Sequence, residues 1–340
     1  MLRKHWRMIS IYSVAHFIVD FACAFLMFRS IFQSQDWYLL MLVYNFCAFA
    51  MQMPIGIIAD KVNRNYLFAG VGCVLIAAGF GFASIPLVAA ILIGIGNGMF
   101  HIGGGIDVLN ISTEKSSALG IFVSPGAFGV YFGTMLGSGG VLLAVPILLS
   151  LIVVAVLIVV SKRAWGKTYV GNEPFLPSVS PRLLVPVLCL FLVVGLRSYV
   201  GMAIDFPWRG IAYWGLALVC ASAFGKVIGG FLFDRFNATR TAVFSLGVAA
   251  LLFLLPQVPI AGVTAILLFN MTMPITLWAM AGIFPKAKGF SFGLLTFALF
   301  LGFLPTYLGI SAAPFWIFTP YAIISLALLL AGLRKENVSK

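Results

Sequence analysis

The chain has 340 residues, of which 62% are hydrophobic and only 9% charged, with a mean hydropathy of +1.11. No water-soluble domain needs so much apolar surface, whereas a bilayer accepts it directly. The net charge of +12 therefore reads as a membrane-topology signal, and nucleic acid is not an expected partner.

A spanning helix needs about 20 apolar residues. The first run, 7–31, follows the basic start MLRKHWR, but it is too long for a signal peptide and lacks a small-residue cleavage site. It is expected to stay as the first helix. Further runs lie at 37–58, 66–84, 86–109, 118–138, 141–160, 183–205, 211–232, 241–256, 259–283, 288–309 and 314–333, making twelve spans; 241–256 is the shortest. The runs are continuous rather than alternating, which excludes a membrane β-barrel. The predicted class is thus an all-α integral membrane protein. Residues 1–160 form one six-helix half and 183–340 the other. Between them, 161–182 reads as a cytoplasmic linker, basic and then rich in Pro and Ser.

Lysine and arginine set the orientation. With both termini in the cytoplasm, all but four of the 21 basic residues fall on the inner side. Arg29 and Arg209 sit at outer ends, and Arg197 and Lys226 lie within spans. A multi-pass protein of a cell inner membrane is expected. All five cysteines (Cys23, Cys47, Cys73, Cys189 and Cys220) lie within spans, so no disulfide or C-x-x-C metal site is expected.

One short pattern occurs twice. Residues 56–64 read GIIADKVNR and residues 230–240 read GFLFDRFNATR, with Asp60 and Asp234 lying 174 positions apart. Both copies fall in the inner turn between the second and third spans of a half, the arrangement of parallel repeats about an axis along the membrane normal. Gly56 and Gly230 permit close helix approach. Asn63 and Asn237 tolerate a left-handed backbone. The aspartates can pair with cations or face a neighbouring helix N-terminus. Asp60, Lys61, Arg64, Asp234 and Arg235 are therefore read as inner gating residues.

These two segments resemble the cytoplasmic signature of major facilitator superfamily transporters, with Asn where the commoner pattern has Gly. AHFIVD (15–20), GIGNGMFHIGGG (94–105) and KVIGGFLFDRF (226–236) are similar to the fosmidomycin-resistance-type efflux branch. Two positions depart from it: Ile102 where proline is expected, and Lys226 where a neutral residue is expected. The resemblance implies two pseudo-symmetric halves and a central cavity lined by spans one, four, seven and ten. It favours export by antiport. SPGAFGVYFGTMLG (124–137) resembles the antiporter-associated segment, and its glycines Gly126, Gly129, Gly133 and Gly137 have the spacing of close helix packing.

An ionisable group at bilayer depth costs roughly 3 kcal/mol or more, so each one is a candidate functional residue. His16 and Asp20 are four apart, on one face of the first helix, roughly 15 and 20 Å from its inner end at 1.5 Å per residue. His101 in span four and Arg197 in span seven also approach the midplane, with Gly201 and Asp205 following on Arg197's side. Asp20 is read as the proton carrier, because low dielectric favours its protonated form and His16 tunes it. Arg197 needs an anion: Asp20, Asp205 or a solute. His101 could line the cavity or bond Asn97 one turn away. Lys226 is expected to snorkel inward, and Asp107, near the inner end of span four, to act as a gate or cap. Asn270, Thr272, Thr276 and Trp278 give span ten a polar side, with a break at Met273–Pro274.

The expected function is secondary active transport by alternating access, coupled to protons. The solute would be a small organic anion, contacted by Arg197, His101, Asn97, Asn270 and Trp278, and export is the expected direction. The protein would work as a monomer in contact with lipid, driven by the proton gradient without a cofactor. Alternatives are a multidrug exporter of hydrophobic or cationic compounds and a uniporter or importer of a neutral nutrient. No nucleophile, metal cluster or carboxylate pair is placed for enzyme chemistry.

Overall fold

The computed structural model describes residues 2–162, 181–310 and 317–333. Most of the 161–182 linker and the start of the last predicted span lie outside the described residues. Within them the secondary structure is helical: α1 (Leu2–Arg29), α2 (Trp37–Asn45), α3 (Gln52–Val62), α4 (Asn65–Gly81), α5 (Pro86–Ile111), α6 (Ser117–Val123), α7 (Pro125–Ser138), α8 (Ala144–Ser161), α9 (Pro181–Ala203), α10 (Ala212–Phe236), α11 (Ala238–Leu252), α12 (Pro259–Asn270), α13 (Met273–Ile283), α14 (Lys288–Tyr307) and α15 (Phe318–Gly332). Among the described residues, nine helical stretches are long and apolar enough to cross a membrane. Three shorter apolar helices, Asn65–Gly81, Ala238–Leu252 and Phe318–Gly332, fill the other predicted runs. The short run predicted at 241–256 is therefore a helix, shifted a few residues towards the N-terminus.

Among the described residues three spans are broken, each just before or at a proline. Pro125 supplies no N–H, so α6 stops at Val123 and α7 starts anew at Pro125; between them the Ser124 hydroxyl donates to the Gly120 carbonyl at 2.7 Å. Pro274 acts likewise between α12 and α13, where Thr272 donates to the Phe269 carbonyl at 3.1 Å. The sequence places that break at Met273–Pro274, and it falls two residues earlier, at Met271–Thr272. A third break was not anticipated. Phe46–Ala50 forms a π-turn between α2 and α3, four residues ahead of Pro54, whose missing N–H leaves the Ala50 carbonyl without its helical donor.

The chain forms two compact units. Unit 1 comprises the described residues within Met1–Ile111, Pro125–Phe175 and Lys286–Gly293, and unit 2 those within Ser112–Ser124, Leu176–Pro285 and Leu294–Lys340. Each unit thus includes one short segment from the other sequence half. In unit 1, α1 packs along α7 and α5, and α4 along α5 and α8. The glycine-rich stretch of α5 allows this. A Cβ on Gly96 would lie 2.7 Å from the Gly72 carbonyl, and one on Gly72 would lie 2.5 Å from the Gly96 carbonyl. In unit 2, α10 packs on α12 and α6, and α15 on α9 and α11.

Candidate functional site

In unit 1 the polar residues predicted from separate spans meet between α1 and α5. Asp20 Oδ1 accepts from Asn97 Nδ2 at 2.9 Å. His16 Nε2 lies 3.1 Å from Asp20 Oδ2 and 2.9 Å from His101 Nε2, and His101 Nε2 is 3.8 Å from Asp20 Oδ1. His101 Nδ1 sits 2.9 Å from the Asn97 carbonyl. A carbonyl only accepts, so Nδ1 carries the hydrogen and neutral His101 turns its Nε2 lone pair to His16. The helix period makes this possible: His16 and Asp20 are one turn apart on α1, and Asn97 and His101 are one turn apart on α5. Side-chain exposures of 6% for His16, 14% for Asp20 and 13% for His101 place the cluster inside the protein.

Of the two readings of His101, the bond to Asn97 is present, through its carbonyl, and the ring also meets His16. The grouping also has a feature not read from the sequence: two imidazoles and a carboxylate offer ligand atoms all within 4.8 Å of one another. Sequence reading missed this grouping because His16 and His101 are 85 residues apart.

Asp107 is buried rather than at a free helix end, with 4% exposure. It accepts from the Tyr12 hydroxyl at 2.7 Å and from Asn65 Nδ2 at 2.8 Å, tying α1 and α4 to α5. Tyr12 and Asn65 were not singled out from sequence. Tyr12 could have been found, because it lies one turn before His16 on the same stripe as Asp20.

The two repeated turns are built alike. Asp60, at the end of α3, accepts from the backbone N–H of Gly289 at 2.8 Å and of Phe290 at 2.9 Å, the first turn of α14; all these residues belong to unit 1. Asp234, near the end of α10, accepts from the Ser116 N–H at 2.7 Å, just ahead of α6; these residues belong to unit 2. Ser116 and Phe290 lie 174 positions apart, as Asp60 and Asp234 do, so the repeat extends to the capped amides. Of the two roles open to the aspartates, the helix N-terminus is the one observed. Among the described residues, Asn63 (φ 52°) and Asn237 (φ 75°) are the non-glycine residues with positive φ, and Asn237 Oδ1 also accepts from the Arg240 N–H at 3.0 Å. Lys61, Arg64 and Arg235 are exposed beside these turns. Asp60→Ala should lower stability by about 1–2 kcal/mol and Asp234→Ala by about 1 kcal/mol. Hydrogen exchange should quicken at Gly289 and Phe290 in the first variant and at Ser116 in the second; unchanged exchange would refute the capping role.

In unit 2 Arg197 is 8% exposed, and its Nη1 donates to Thr276 Oγ1 at 3.4 Å. Asp205 does not serve it: that carboxylate pairs with Arg209 at 3.7 Å, with side-chain exposures of 54% for Arg209 and 82% for Asp205. Asn270 Nδ2 donates to the Ile266 carbonyl at 2.9 Å, and its Oδ1 lies 3.3 Å from Ser222 Oγ. The Trp278 indole N–H is engaged with the Thr113 carbonyl at 2.9 Å, and its ring meets Phe233 edge-on at 4.8 Å. Lys226 Nζ donates to the Val123 carbonyl at 3.3 Å, at the α6–α7 break.

No protein-family model matches the chain, and no curated protein matches it significantly in sequence. Solved structures match along almost its whole length. The E. coli fucose:proton symporter FucP superposes with a TM-score of 0.65 at 14% identity, covering 96% of this chain and 98% of that one. The human organic anion transporter MFSD10 gives 0.64 at 12% identity, covering 96% and 99%. A bacterial homologue of the iron transporter ferroportin gives 0.62 at 14% identity, covering 96% and 98%. The fold of this chain, all-α with its apolar helices in two compact units, is that of the major facilitator superfamily transporters.

Proposed function

We propose that the chain is a secondary transporter, not an enzyme, which works by alternating access and couples movement of a small organic anion to protons. The observation that carries this reading is the Asp20 carboxylate, set inside the protein among Asn97, His16 and His101. Such a carboxylate can take up and release a proton, and the imidazoles beside it can share that proton over hydrogen-bond distances. Arg197 is the proposed anion contact, since its charge is held in unit 2 by a hydroxyl rather than by a carboxylate. His101 belongs to the proton cluster and can respond to solute as well. The capped turns at Asp60 and Asp234 act as releasable inner latches in this cycle.

The fold neighbours include a proton-coupled sugar symporter and an organic anion transporter, which supports both halves of the proposal. Export is favoured by the likeness of the sequence to the efflux branch. A second reading, export of hydrophobic cations, would use Asp20 as the solute anchor, and a neutral-nutrient carrier would use the span-ten face around Asn270 and Thr276.

Proteoliposomes with an internal pH dye, given small organic anions one by one, test the proposal. An anion-dependent pH change is expected in the native protein and should vanish in Asp20→Asn. A pH change that persists in Asp20→Asn would remove Asp20 from the proton path. Anion flux with no pH change would remove proton coupling altogether.

A further inference from the structure

We propose that His16, Asp20 and His101 form a binding site for a divalent transition-metal ion. This goes beyond the transport reading and does not depend on proton coupling being correct. The donor set is two imidazole nitrogens and one carboxylate, the combination that suits Zn²⁺, Fe²⁺, Co²⁺ or Ni²⁺ rather than the all-oxygen preference of Mg²⁺ and Ca²⁺. The spacing fits. Ligands at 2.0–2.2 Å from a tetrahedral ion are separated by roughly 3.3 Å; His16 Nε2 lies 2.9 Å from His101 Nε2 and 3.1 Å from Asp20 Oδ2, and one ligand atom from each of the three residues lies within 4.8 Å of the others.

The surroundings also prepare the ligands. His101 donates its Nδ1–H to the Asn97 carbonyl, which fixes the tautomer that presents a bare Nε2. Asn97 Nδ2 binds Asp20 Oδ1, which orients the carboxylate and leaves Oδ2 towards His16. Outer partners of this kind orient ligands in metal sites generally. Binding requires His16 to present Nε2 without a hydrogen, so its proton moves to Nδ1 as the other tautomer. Gly126 on α7 closes the same space, since a Cβ there would overlap both Asp20 Oδ2 and His16 Nε2. Three protein ligands leave at least one coordination position for water or an anionic oxygen.

The test uses full-length, tag-free protein in detergent at neutral pH, titrated with Zn²⁺ in equilibrium dialysis with Mg²⁺ present throughout. The expected result is one saturable site per chain that raises the thermal midpoint. His16→Ala and His101→Ala should each weaken binding by about 100-fold, and Asn97→Ala by roughly 10- to 100-fold. His5→Ala should leave it unchanged, because His5 lies well before the cluster on α1. Folding of each variant is checked by its own thermal transition, and His101→Gln serves if the alanine variant unfolds. Saturable binding that survives both histidine substitutions would mark the ion as adventitious and overturn the proposal. No binding to folded native protein would assign the cluster to protons alone. Proton flux needs no added metal, so a failure here leaves the Asp20→Asn result standing, and the reverse also holds.

Discussion

Arg197→Met is expected to weaken anion transport by about 30-fold or more while leaving the protein as stable as before, or more so. The argument is electrostatic. Arg197 is 8% exposed, and among the described residues of unit 2 no Asp or Glu oxygen comes within ion-pair distance of it, Asp205 being engaged with Arg209. The Thr276 hydroxyl accepts from Arg197 Nη1 at 3.4 Å. Burying a guanidinium this way costs free energy that packing alone does not return. An apolar residue of similar length keeps the packing and removes the desolvation cost, so the folded state should not suffer. A bound anion, by contrast, would lose a charge-assisted contact worth about 2–5 kcal/mol, and each 1.4 kcal/mol is about tenfold in affinity. Lysine should not rescue fully, since it lacks the planar fork that holds an oxyanion in two bonds. Initial rates over a range of anion concentrations, read beside thermal unfolding, check this. Unaltered transport by Arg197→Met would transfer the solute contact elsewhere and favour the cationic-drug reading.

What could be read from the sequence divides by distance along the chain. The spans were legible because a bilayer imposes one requirement, a long apolar run, on each segment independently. His16 with Asp20, and Asp60 with Asn63, were legible because helix and turn geometry fix neighbours within a few residues. The break between α2 and α3 carried a local signal, Pro54, but it acts on residues already past and was overlooked. Pairings across the chain were illegible in principle: His16 with His101 is 85 residues apart, Asn65 with Asp107 is 42, and Asp60 with Phe290 is 230. Only packing decides these. The half-chain repeat is the exception, for it announced that whatever Asp60 meets, Asp234 should meet its equivalent. Trp278 has a further partner that only packing reveals. As an aromatic on a polar span it suggested solute contact, and its N–H is engaged by the Thr113 carbonyl, 165 residues away.

The glycine stripe of α7 leads to the largest expected loss of stability. The sequence assigned Gly126, Gly129, Gly133 and Gly137 to close packing, and they meet α1 along its length. A Cβ on Gly129 would overlap the Phe17 carbonyl and lie 2.9 Å from the Phe21 nitrogen and 3.1 Å from Asp20 Cβ, while one on Gly137 would lie 2.7 Å from the Phe25 carbonyl. These obstacles are mostly backbone, which cannot swing aside as a side-chain tip can. Gly129→Val must therefore push α1 and α7 apart, at about 3 kcal/mol or more, the upper range for overpacking. The loss should not stop at stability. α1 carries His16 and Asp20, so a displaced α1 moves Asp20 away from Asn97 and His16 away from His101, and proton-coupled flux should fall with the thermal midpoint. Gly247→Ala on α11 is the matched control. Its Cβ would meet nothing within 4 Å, so it should stabilise by roughly 0.5–1 kcal/mol through reduced backbone freedom in the unfolded chain. If Gly129→Val unfolds no earlier than the native protein while Gly247→Ala behaves as expected, the α1–α7 contact has slack. In that case α5 alone, through Asn97 and His101, must hold Asp20 in place.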